Sequence, residues 1–428
     1  MRIAIFAIGS QGDVRPSAAL GAGFVRAGHD VRLVTLPAFR ALAEEHGLEF
    51  APVHIDPYAF INGDIGQSWM DSMDKPLRLV AGVSRAAAEF LEPLTEDAVT
   101  ACRGFDALLY NVPLSIAGYT VAEALGIPGI PTAVAPYHAT RLFPSIITPS
   151  LPLKGGLVNR ISGTAAIQVL WAMFRKHMNR WRARQPGMRP LPWWNPLQKI
   201  ARAGVPWLYG FSPSVIPAPA DWPRTAAVCG YWFTSAVPGW KPDPGLVDFL
   251  GAGPAPIYVG FGSMVGSDPE HTVETVLEAV KLAKVRTILA TGWGGMKPRA
   301  LPPDVFPVES VPHDWLFPRV AAAVHHGGAG TTAATLRAGI PSVVVPYFYD
   351  QFFWGARLQA LGVGSAPVAQ KHLEPAQLAE AIRAVTGTPA TRERSRAIAT
   401  AIGREDGVRE GVRVVESYLA ERMRRVTQ

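Results

Sequence analysis

The sequence predicts an α/β protein with two halves, each built around a parallel β-sheet. Near the N-terminus, short apolar segments alternate with helix-like ones, as in "RIAIFAIG", "PSAALGAGFVRAG" and "DVRLVTL". The same alternation restarts near Ala255. Residues 205–254, between the two patterns, are rich in Pro, Gly and Trp, and proline cannot continue a helix or a central strand. We therefore expect two Rossmann-like domains joined by a connection.

The individual elements follow from the same pattern. In the first half, residues 106–111 and 127–134 are further predicted strands. In the second half, the predicted strands are "APIYVGFGS", "RTILATG", "VFPVESV", "AAVHHGG" and "PSVVVPY". Helices are predicted near 269–284, 330–338, 353–361, 374–386 and 405–425. The predicted boundaries are 1–205 for the first domain, 206–254 for the connection, 255–404 for the second domain and 405–428 for a C-terminal helix.

Composition narrows the class of protein. The chain has 428 residues, of which 48% are apolar and 18% charged, which allows large cores and argues against global disorder. Cys102 and Cys229 lack metal-ligand spacing, so we predict small core residues in a reducing cytoplasm. We find no signal peptide and no apolar run of about 18 residues.

The net charge of +7 favours anionic substrates or an anionic membrane surface. Nucleic acid is disfavoured, because we see no basic tract interleaved with exposed aromatics. We expect a cytoplasmic protein, and we leave open peripheral contact with the inner face of a membrane.

Residues 140–200 combine tryptophans with arginines and interrupt the strand–helix pattern. One interpretation is a helix that packs its aromatic face on the sheet and solvates its basic face. The other is an apolar acceptor pocket or a surface that rests on a membrane. The residues concerned are Arg160, Trp171, Phe174, Arg175, Lys176, Arg180, Trp181, Arg182, Arg184, Trp193 and Trp194.

A glycine cluster, "HHGGAGTTAATL", follows the apolar "VAAAV" and precedes a predicted helix. Glycines allow close approach of a ligand, and the N–H groups and dipole of a helix N-terminus attract phosphate. The alternative is a tight turn without a ligand. The segment has neither the order of a P-loop nor the G-x-G-x-x-G spacing of nicotinamide binding.

The next strand, "PSVVVPY", is followed by Asp350 and Gln351. Ligands of open α/β sheets bind at the carboxyl ends of the strands. An acid and an amide at that edge can bind several hydroxyl groups. The two parts of the segment together favour a sugar attached to a diphosphate.

These residues resemble the nucleotide-sugar signature of family 1 glycosyltransferases with the GT-B fold, in particular sterol 3-β-glucosyltransferases and bacterial natural-product glycosyltransferases. The resemblance rests on "HHGGAGTTAATLRAGIPSVVVPYFYDQFFWG", "GSQGDVRPSAALG", "VPHDWLFPRVAAAVHHGG", "YGFSPSVIPAPADWP" and "VCGYWF". It implies two Rossmann-like domains facing each other across a cleft. The N-terminal domain would bind the acceptor and the C-terminal domain the donor, with the last helix packing back on the N-terminal domain.

The resemblance also implies roles for the donor-binding residues. His326 would bind the diphosphate and assist catalysis, and Asp350 and Gln351 would bind the sugar. Trp293 would lie near the nucleobase, which Val311 and His313 would hold. The phosphates would contact Ser263, Gly328, Gly330, Thr331 and Thr332. No D-x-D sequence is present, which fits an enzyme without a metal or other cofactor, the nucleotide sugar being a co-substrate.

Inverting transfer requires a base that accepts the proton of the acceptor hydroxyl. The motif "GSQGD" matches relatives in which the aspartate is this base, so the resemblance implies that role for Asp13. The alternative is that Asp13 only caps the first helix. Ser10 and Gly12 would shape the loop, and we predict a structural role for His29.

We expect a lipophilic acceptor such as a sterol, polyketide or flavonoid, and a hexose donor, with UDP-glucose as first choice. Candidate acceptor contacts, besides Ser10 and Gly12, are Phe60, Trp69, Met73, Phe143 and Trp171. Alternatives are a GT-B nucleotide-sugar 2-epimerase, a dTDP-deoxysugar transferase of antibiotic tailoring, a non-catalytic partner and, last, a dehydrogenase. A monomer or weak homodimer is expected.

Overall fold

A computed structural model of the chain describes residues 1–55, 76–112, 115–147, 155–234, 239–262, 269–291 and 301–426. These residues form two compact units. Unit 1 comprises Met1–Thr234 and Asp406–Gln428, and unit 2 comprises Ser235–Glu405.

Unit 1 contains a parallel sheet of seven strands in the order β3-β2-β1-β4-β5-β6-β7. The strands are β1 Arg2–Phe6, β2 Asp30–Thr35, β3 Glu49–Pro52, β4 Ala107–Asn111, β5 Gly129–Ala133, β6 Trp207–Tyr209 and β7 Ala226–Val228. The central strands are buried, β4 throughout and β1 from Ile3 to Phe6, and are mainly apolar, as helices on both faces of a parallel sheet require.

The helices of this part of the chain are α1 Gln11–Arg26, α2 Arg40–Glu45, α3 Pro76–Ala101, α4 Ser115–Leu125, α5 Gly156–Ala183 and α6 Leu197–Arg202. Each longer helix buries one face and solvates the other. In α5, Trp171 and Trp181 are buried and Phe174 packs against the core of unit 1. The first interpretation of residues 140–200 is therefore confirmed for the inner face of this helix.

Unit 2 contains a parallel sheet of five strands in the order β10-β9-β8-β11-β12. The strands are β8 Ile257–Gly260, β9 Thr287–Ala290, β10 Val305–Val308, β11 Ala322–His325 and β12 Ser342–Val344. The helices are α7 Pro244–Gly251, α8 Pro269–Ala283, α9 His313–Leu316, α10 Ala329–Ala338, α11 Asp350–Ala360, α12 Pro375–Gly387 and α13 Pro389–Ile402.

The C-terminal helix, α14 Gly407–Val426, belongs to unit 1 and packs on α1. The contact is close, because a Cβ built on Gly23 would lie 2.3 Å from Val408 Cγ1. His29 Nε2 lies 2.9 Å from Glu416 Oε1, so His29 links the end of α1 to α14, in line with its predicted structural role.

All nine strands predicted from the sequence are present, and three further strands were not predicted. Residues 206–234, part of the predicted connection, contribute β6 and β7 to the sheet of unit 1. Residues 239–254 contain α7 and lie within unit 2. Strands β6 and β7 have three residues each, too few for a periodic pattern, and they are defined by pairing with β5 and with each other.

Cys102 and Cys229 are buried and unpaired, as predicted. Among the described residues, none of the helices has the length and apolar character needed to cross a bilayer.

Candidate functional sites

Each sheet has a point at which the strand order reverses direction. In unit 1, the chain places β2 on one side of β1 and β4 on the other. In unit 2, β9 and β11 flank β8 in the same way. The loops that leave the two strands at such a point diverge and open a crevice, which is where open α/β sheets bind ligands. The two predicted functional segments follow β1 and β11 and therefore lie at these crevices.

In unit 1, the loop after β1 is organised around Asp13. Ser10 is the N-cap of α1, and its Oγ accepts a hydrogen bond from Gly12 N at 3.2 Å. Asp13, at the third helical position, accepts hydrogen bonds through Oδ2 from Ser10 N at 2.8 Å and from Ser10 Oγ at 3.0 Å. This reciprocal capping box satisfies backbone donors of the helix start. The alternative prediction, that Asp13 caps the first helix, is thus partly corrected. Ser10 is the N-cap, and Asp13 supports it from within the helix.

The same loop depends on one glycine and one asparagine. Gly9 has φ +141°, and a Cβ at this position would lie 2.3 Å from Asp13 Oδ2. Asn111, at the end of β4, donates from Nδ2 to Ile8 O at 2.9 Å and accepts from Ile8 N at 3.1 Å. Both amide atoms of a buried side chain therefore hold the loop in place from the neighbouring strand.

Asp13 lines a small pocket at the carboxyl edge of the sheet. The other lining residues come from α1, from the ends of β4 and β5 and from the segment after β7. They are Ser17, Asn111, Val112, Thr132, Ala133, Val134 and Trp232. Sequence reasoning identified only Asp13 among them. The polar residues Asn111 and Thr132 near the ends of buried strands were the available indication.

The carboxyl group of Asp13 has a raised pKa of about 6, against an ordinary value of 3.8. Burial is the main cause, and the hydrogen bonds from Ser10 lower the pKa and partly offset it. A carboxylate with this pKa is ionised near neutral pH and is a stronger base than an exposed aspartate.

In unit 2, β11 is followed by His326, Gly327 and Gly328, and α10 then begins. Gly327 has φ +88°, and a Cβ there would lie 2.6 Å from Val344 Cγ1 and 2.9 Å from Gln351 O. Gly328 is the N-cap, and no side chain caps the helix. The first backbone N–H groups of α10 thus have no side-chain acceptor, which is the arrangement that binds phosphate at helix N-termini.

Three buried polar atoms of this loop have no hydrogen-bond partner: His326 Nδ1, Thr332 Oγ1 and His325 Nε2. The hydroxyl of Thr332 is fully buried in the first turn of α10. A buried polar group without a partner costs about 1–3 kcal/mol. Such a cost, repeated around one uncapped helix start, points to a ligand that supplies the missing partners.

The pKa of His326 is lowered to about 4, mainly by burial and also by the neighbouring His313. The pKa of His325 is lowered for the same reasons, with His326 as a further cause. His326 is therefore neutral at physiological pH and carries one ring proton. A Cβ on Gly328 would lie 2.4 Å from Nε2 of His326, and a Cβ on Gly262 would lie 3.3 Å from Cε1 of His326. The ring is enclosed by glycines of the loops after β8 and β11.

Asp350 and Gln351 lie in the first turn of α11, which starts three residues earlier than predicted. Asp350 Oδ2 accepts from Trp354 Nε1 at 3.1 Å, and Gln351 Oε1 accepts from Tyr347 N at 2.7 Å. Tyr349, directly before them, has φ +57°, a left-handed conformation that is strained for a tyrosine. The contact between Gly327 and Gln351 places this turn against the glycine loop.

The other predicted donor residues are placed as follows. Gly330 and Thr331 are half-buried in the first turn of α10. His313 begins α9 and stacks on Phe317, with ring centroids 4.3 Å apart. Val311 packs against the apolar cluster around α9. Ser263 and Trp293 lie outside the described residues.

The predicted acceptor contacts are only partly described. Phe60, Trp69 and Met73 lie outside the described residues. The ring centroid of Phe143 is 6.4 Å from that of Trp222 in an edge-to-face arrangement. Trp171 is buried in the core of unit 1, and its Nε1 donates to Pro192 O at 3.1 Å, so the structure gives it a packing role.

The chain matches two known domain families. Residues 3–144 match the glycosyltransferase family 28 N-terminal domain, and residues 285–410 match the erythromycin biosynthesis protein CIII-like C-terminal domain. Sterol 3-β-glucosyltransferases of Neosartorya fischeri and Cryptococcus neoformans are both 35% identical to it over 97% of its residues. The chain spans only 29% and 27% of these two relatives, less than a third of their length.

Solved structures show the same architecture. The glycosyltransferase of kitacinnamycin superposes with a TM-score of 0.71 at 19% identity, over 98% of this chain and 99% of the other. The calicheamicin glycosyltransferase CalG4 gives 0.67 at 21% identity, over 98% of each chain. VinC in complex with dTDP gives 0.61 at 20% identity, over 99% of this chain and all of the other. These matches confirm the predicted resemblance and the predicted fold class of two parallel-sheet units, which is that of GT-B glycosyltransferases.

Proposed function

We propose that this GT-B protein is an inverting glycosyltransferase that moves a hexose from a nucleoside diphosphate to a hydroxyl group of a lipophilic acceptor. The loop after β11 would bind the donor diphosphate, and Asp13 would be the general base. The observation that carries the proposal is the uncapped start of α10 with the unpartnered His326 Nδ1 and Thr332 Oγ1 beside it.

The donor part of the proposal follows from electrostatics. The N–H groups of α10 and the hydroxyl of Thr332 would donate to phosphate oxygens. His326 would donate its single ring proton. These donors favour the charge that develops on the diphosphate as the sugar leaves. A neutral histidine can donate there without carrying a charge when the site is empty.

The base part follows from the environment of Asp13. In the proposed step, the acceptor oxygen attacks the anomeric carbon, the bond from that carbon to the diphosphate oxygen breaks, and the hydroxyl proton passes to Asp13. Attack from the face opposite the leaving group inverts the anomeric centre. The raised pKa of Asp13, about 6, suits a group that must accept a proton near neutral pH.

Asp350 and Gln351 are proposed to bind sugar hydroxyls, which favours glucose over a heavily deoxygenated sugar. UDP-glucose is therefore the first donor to test. The similarity to sterol 3-β-glucosyltransferases favours a sterol acceptor, whereas the structural neighbours include a calicheamicin glycosyltransferase. A dTDP-linked donor is the second candidate, because the VinC structure is a complex with dTDP.

The test is a matrix of two donors and three acceptors, read by mass spectrometry. UDP-glucose and dTDP-glucose are each incubated with a sterol, a polyketide aglycone and a flavonoid. We expect an acceptor product heavier by one hexose, formed with an inverted anomeric configuration that NMR can assign. Release of a free 2-epimer from the donor would instead support the epimerase alternative. Absence of any product across the matrix, with UDP binding intact, would support a non-catalytic role.

A further inference from the structure

One face of unit 1 exposes a group of apolar side chains. Among the described residues, ten large apolar side chains are exposed, and six of them lie on the outer side of α5 or on the segments next to it. We call these six the docking face. They are Leu142, Leu157, Ile161, Val169, Trp193 and Trp194.

The geometry of α5 aligns this face. Leu157, Ile161 and Val169 are separated by four and eight residues, so they lie on one side of the helix over about 18 Å. The segment that carries Leu142 is tied to the start of α5, where Asn159 Nδ2 donates to Arg141 O at 3.3 Å. The inner side of α5 is buried against the core, and the outer side is therefore held in a fixed orientation.

The two tryptophans are held in exposed positions by backbone hydrogen bonds. Gln168 Nε2 donates to Trp193 O at 2.9 Å, and Gln168 Oε1 accepts from Asn195 N at 3.0 Å. Arg175 Nε donates to Pro192 O at 3.0 Å. Although the segment is anchored on both sides, the side chains of Trp193 and Trp194 remain 64% and 70% exposed. The fold thus presents both rings to the outside instead of burying them.

The net positive charge of the chain is concentrated in the part of the sequence that carries this face. Residues 124–220 contain no Asp or Glu, whereas the rest of the chain has 30 basic and 34 acidic residues. Three acidic residues from outside this stretch contact it. Arg182 and Arg184 pair with Glu123 and Glu92, and Asp221 accepts hydrogen bonds from Thr140 Oγ1 at 2.7 Å and from Arg141 N at 3.0 Å. The eleven basic residues of the stretch are Arg141, Lys154, Arg160, Arg175, Lys176, Arg180, Arg182, Arg184, Arg189, Lys199 and Arg202.

We propose that the docking face binds the surface of an anionic lipid bilayer, with Trp193 and Trp194 at the headgroup level and the basic residues against the lipid phosphates. Tryptophan suits this depth, because its ring is apolar and its N–H is polar. A basic helix with an apolar stripe lies in the plane of the interface. A second copy of the chain is a poor occupant, because two faces with this positive charge would repel each other.

The test measures binding of the whole purified protein to vesicles by co-sedimentation, without donor or acceptor. It is therefore independent of the proposed transferase activity. One set of vesicles is phosphatidylcholine alone, and the other also contains phosphatidylglycerol. We expect clear binding to the anionic vesicles and little to the neutral ones, with a loss of binding as salt rises from about 0.1 M to about 1 M.

Two variants separate the contributions of the rings and the charges. The double variant Trp193→Ser, Trp194→Ser should weaken binding by at least roughly tenfold. The triple variant Arg160→Gln, Lys176→Gln, Arg180→Gln should weaken it on the order of 100-fold, at about fivefold per charge. Leu282→Ser and Val247→Ser are the apolar controls, from exposed sites of unit 2, and both should bind as the wild type does.

Three results would overturn the proposal. The first is equal binding to neutral and anionic vesicles, or none to either. The second is wild-type binding by the tryptophan variant, since the rings would then not contact the bilayer. The third is self-association in light scattering that the tryptophan variant abolishes while vesicle binding is absent, because the face would then bind a second copy. Circular dichroism of each variant excludes unfolding as the cause.

Discussion

The crevices of the two units lie at the same kind of topological switch point. They differ in whether their polar side chains have hydrogen-bond partners. In unit 1, Asp13 is held by two hydrogen bonds from Ser10, and Asn111 satisfies both backbone groups of Ile8. In unit 2, His326 Nδ1 and Thr332 Oγ1 are buried without partners beside an uncapped helix. The polar groups named in unit 1 therefore have partners without a ligand, whereas those named in unit 2 do not.

This difference fits the two tasks that we propose. A general base must be kept in one orientation before the acceptor arrives, so its neighbours hold it. A diphosphate site gains affinity when its donors have no other partner, because the ligand then removes an existing cost. The following predictions test that contrast, from the largest expected effect to the smallest.

Asp13→Asn should lower kcat by roughly 10²- to 10⁴-fold, since the amide cannot accept the proton but can still accept the hydrogen bond from Ser10 N. UDP affinity, measured by calorimetry, should not change. The fold should also persist. Because the pKa of Asp13 is raised in the folded protein, protonation of its carboxyl group stabilises the fold. This stabilisation is fully present below pH about 4 and is lost as the pH rises through about 6. Asparagine resembles the protonated form and keeps that contribution at neutral pH. Turnover close to wild type would exclude Asp13 as the base.

His326→Ala should weaken UDP binding by roughly 10- to 100-fold, the value of one hydrogen bond to a charged group. Isothermal titration calorimetry measures the change. His372→Ala, at an exposed position of the same unit, is the control and should bind UDP normally. Unchanged affinity in His326→Ala would remove this residue from the donor site.

Thr332→Val and Thr335→Val should have opposite effects on stability. Valine at 332 removes a buried hydroxyl without a partner, so the ligand-free protein should gain about 1 kcal/mol while UDP binding weakens by roughly five- to tenfold. Thr335 is equally buried, but its Oγ1 donates to Thr332 O at 2.9 Å and accepts from Ser342 Oγ at 3.1 Å. Thr335→Val should therefore lose about 1–3 kcal/mol and keep its UDP affinity.

Urea denaturation with and without UDP measures both quantities. If Thr332→Val destabilised the empty protein as Thr335→Val does, the hydroxyl of Thr332 would have a structural role only.

The pH dependence of kcat/KM gives the smallest effect. A base must be ionised to act, so the rate should rise with pH below about 6 and level off above it. The hydroxyl of Ser10 lowers the pKa of Asp13, and Ser10→Ala should therefore move the midpoint to a higher pH. A midpoint that is the same in both proteins would mean that another group controls the rate.

Much of the fold could be predicted because parallel strands are short apolar runs with clear boundaries. β1 and β11 are examples, and the glycines and polar residues after them indicated both crevices. Strands β6 and β7 could not be predicted, since three residues between prolines carry no periodic pattern. The start of α11 was predicted three residues too late, because an aspartate after a strand is typical of a loop. In the structure, the strained backbone of Tyr349 allows the helix to begin at Asp350.

The sequence by itself determined the order of the nine predicted strands, the glycine loop and the positions of Asp13 and His326 along the chain. Local patterns of polarity and backbone preference encode these features. Only the tertiary structure decided that Asn111 supports Ile8, that Trp171 is buried while Trp193 and Trp194 are exposed, and that Thr332 is left without a partner. Burial and hydrogen-bond partners depend on residues that are distant in sequence, and packing alone brings those residues together.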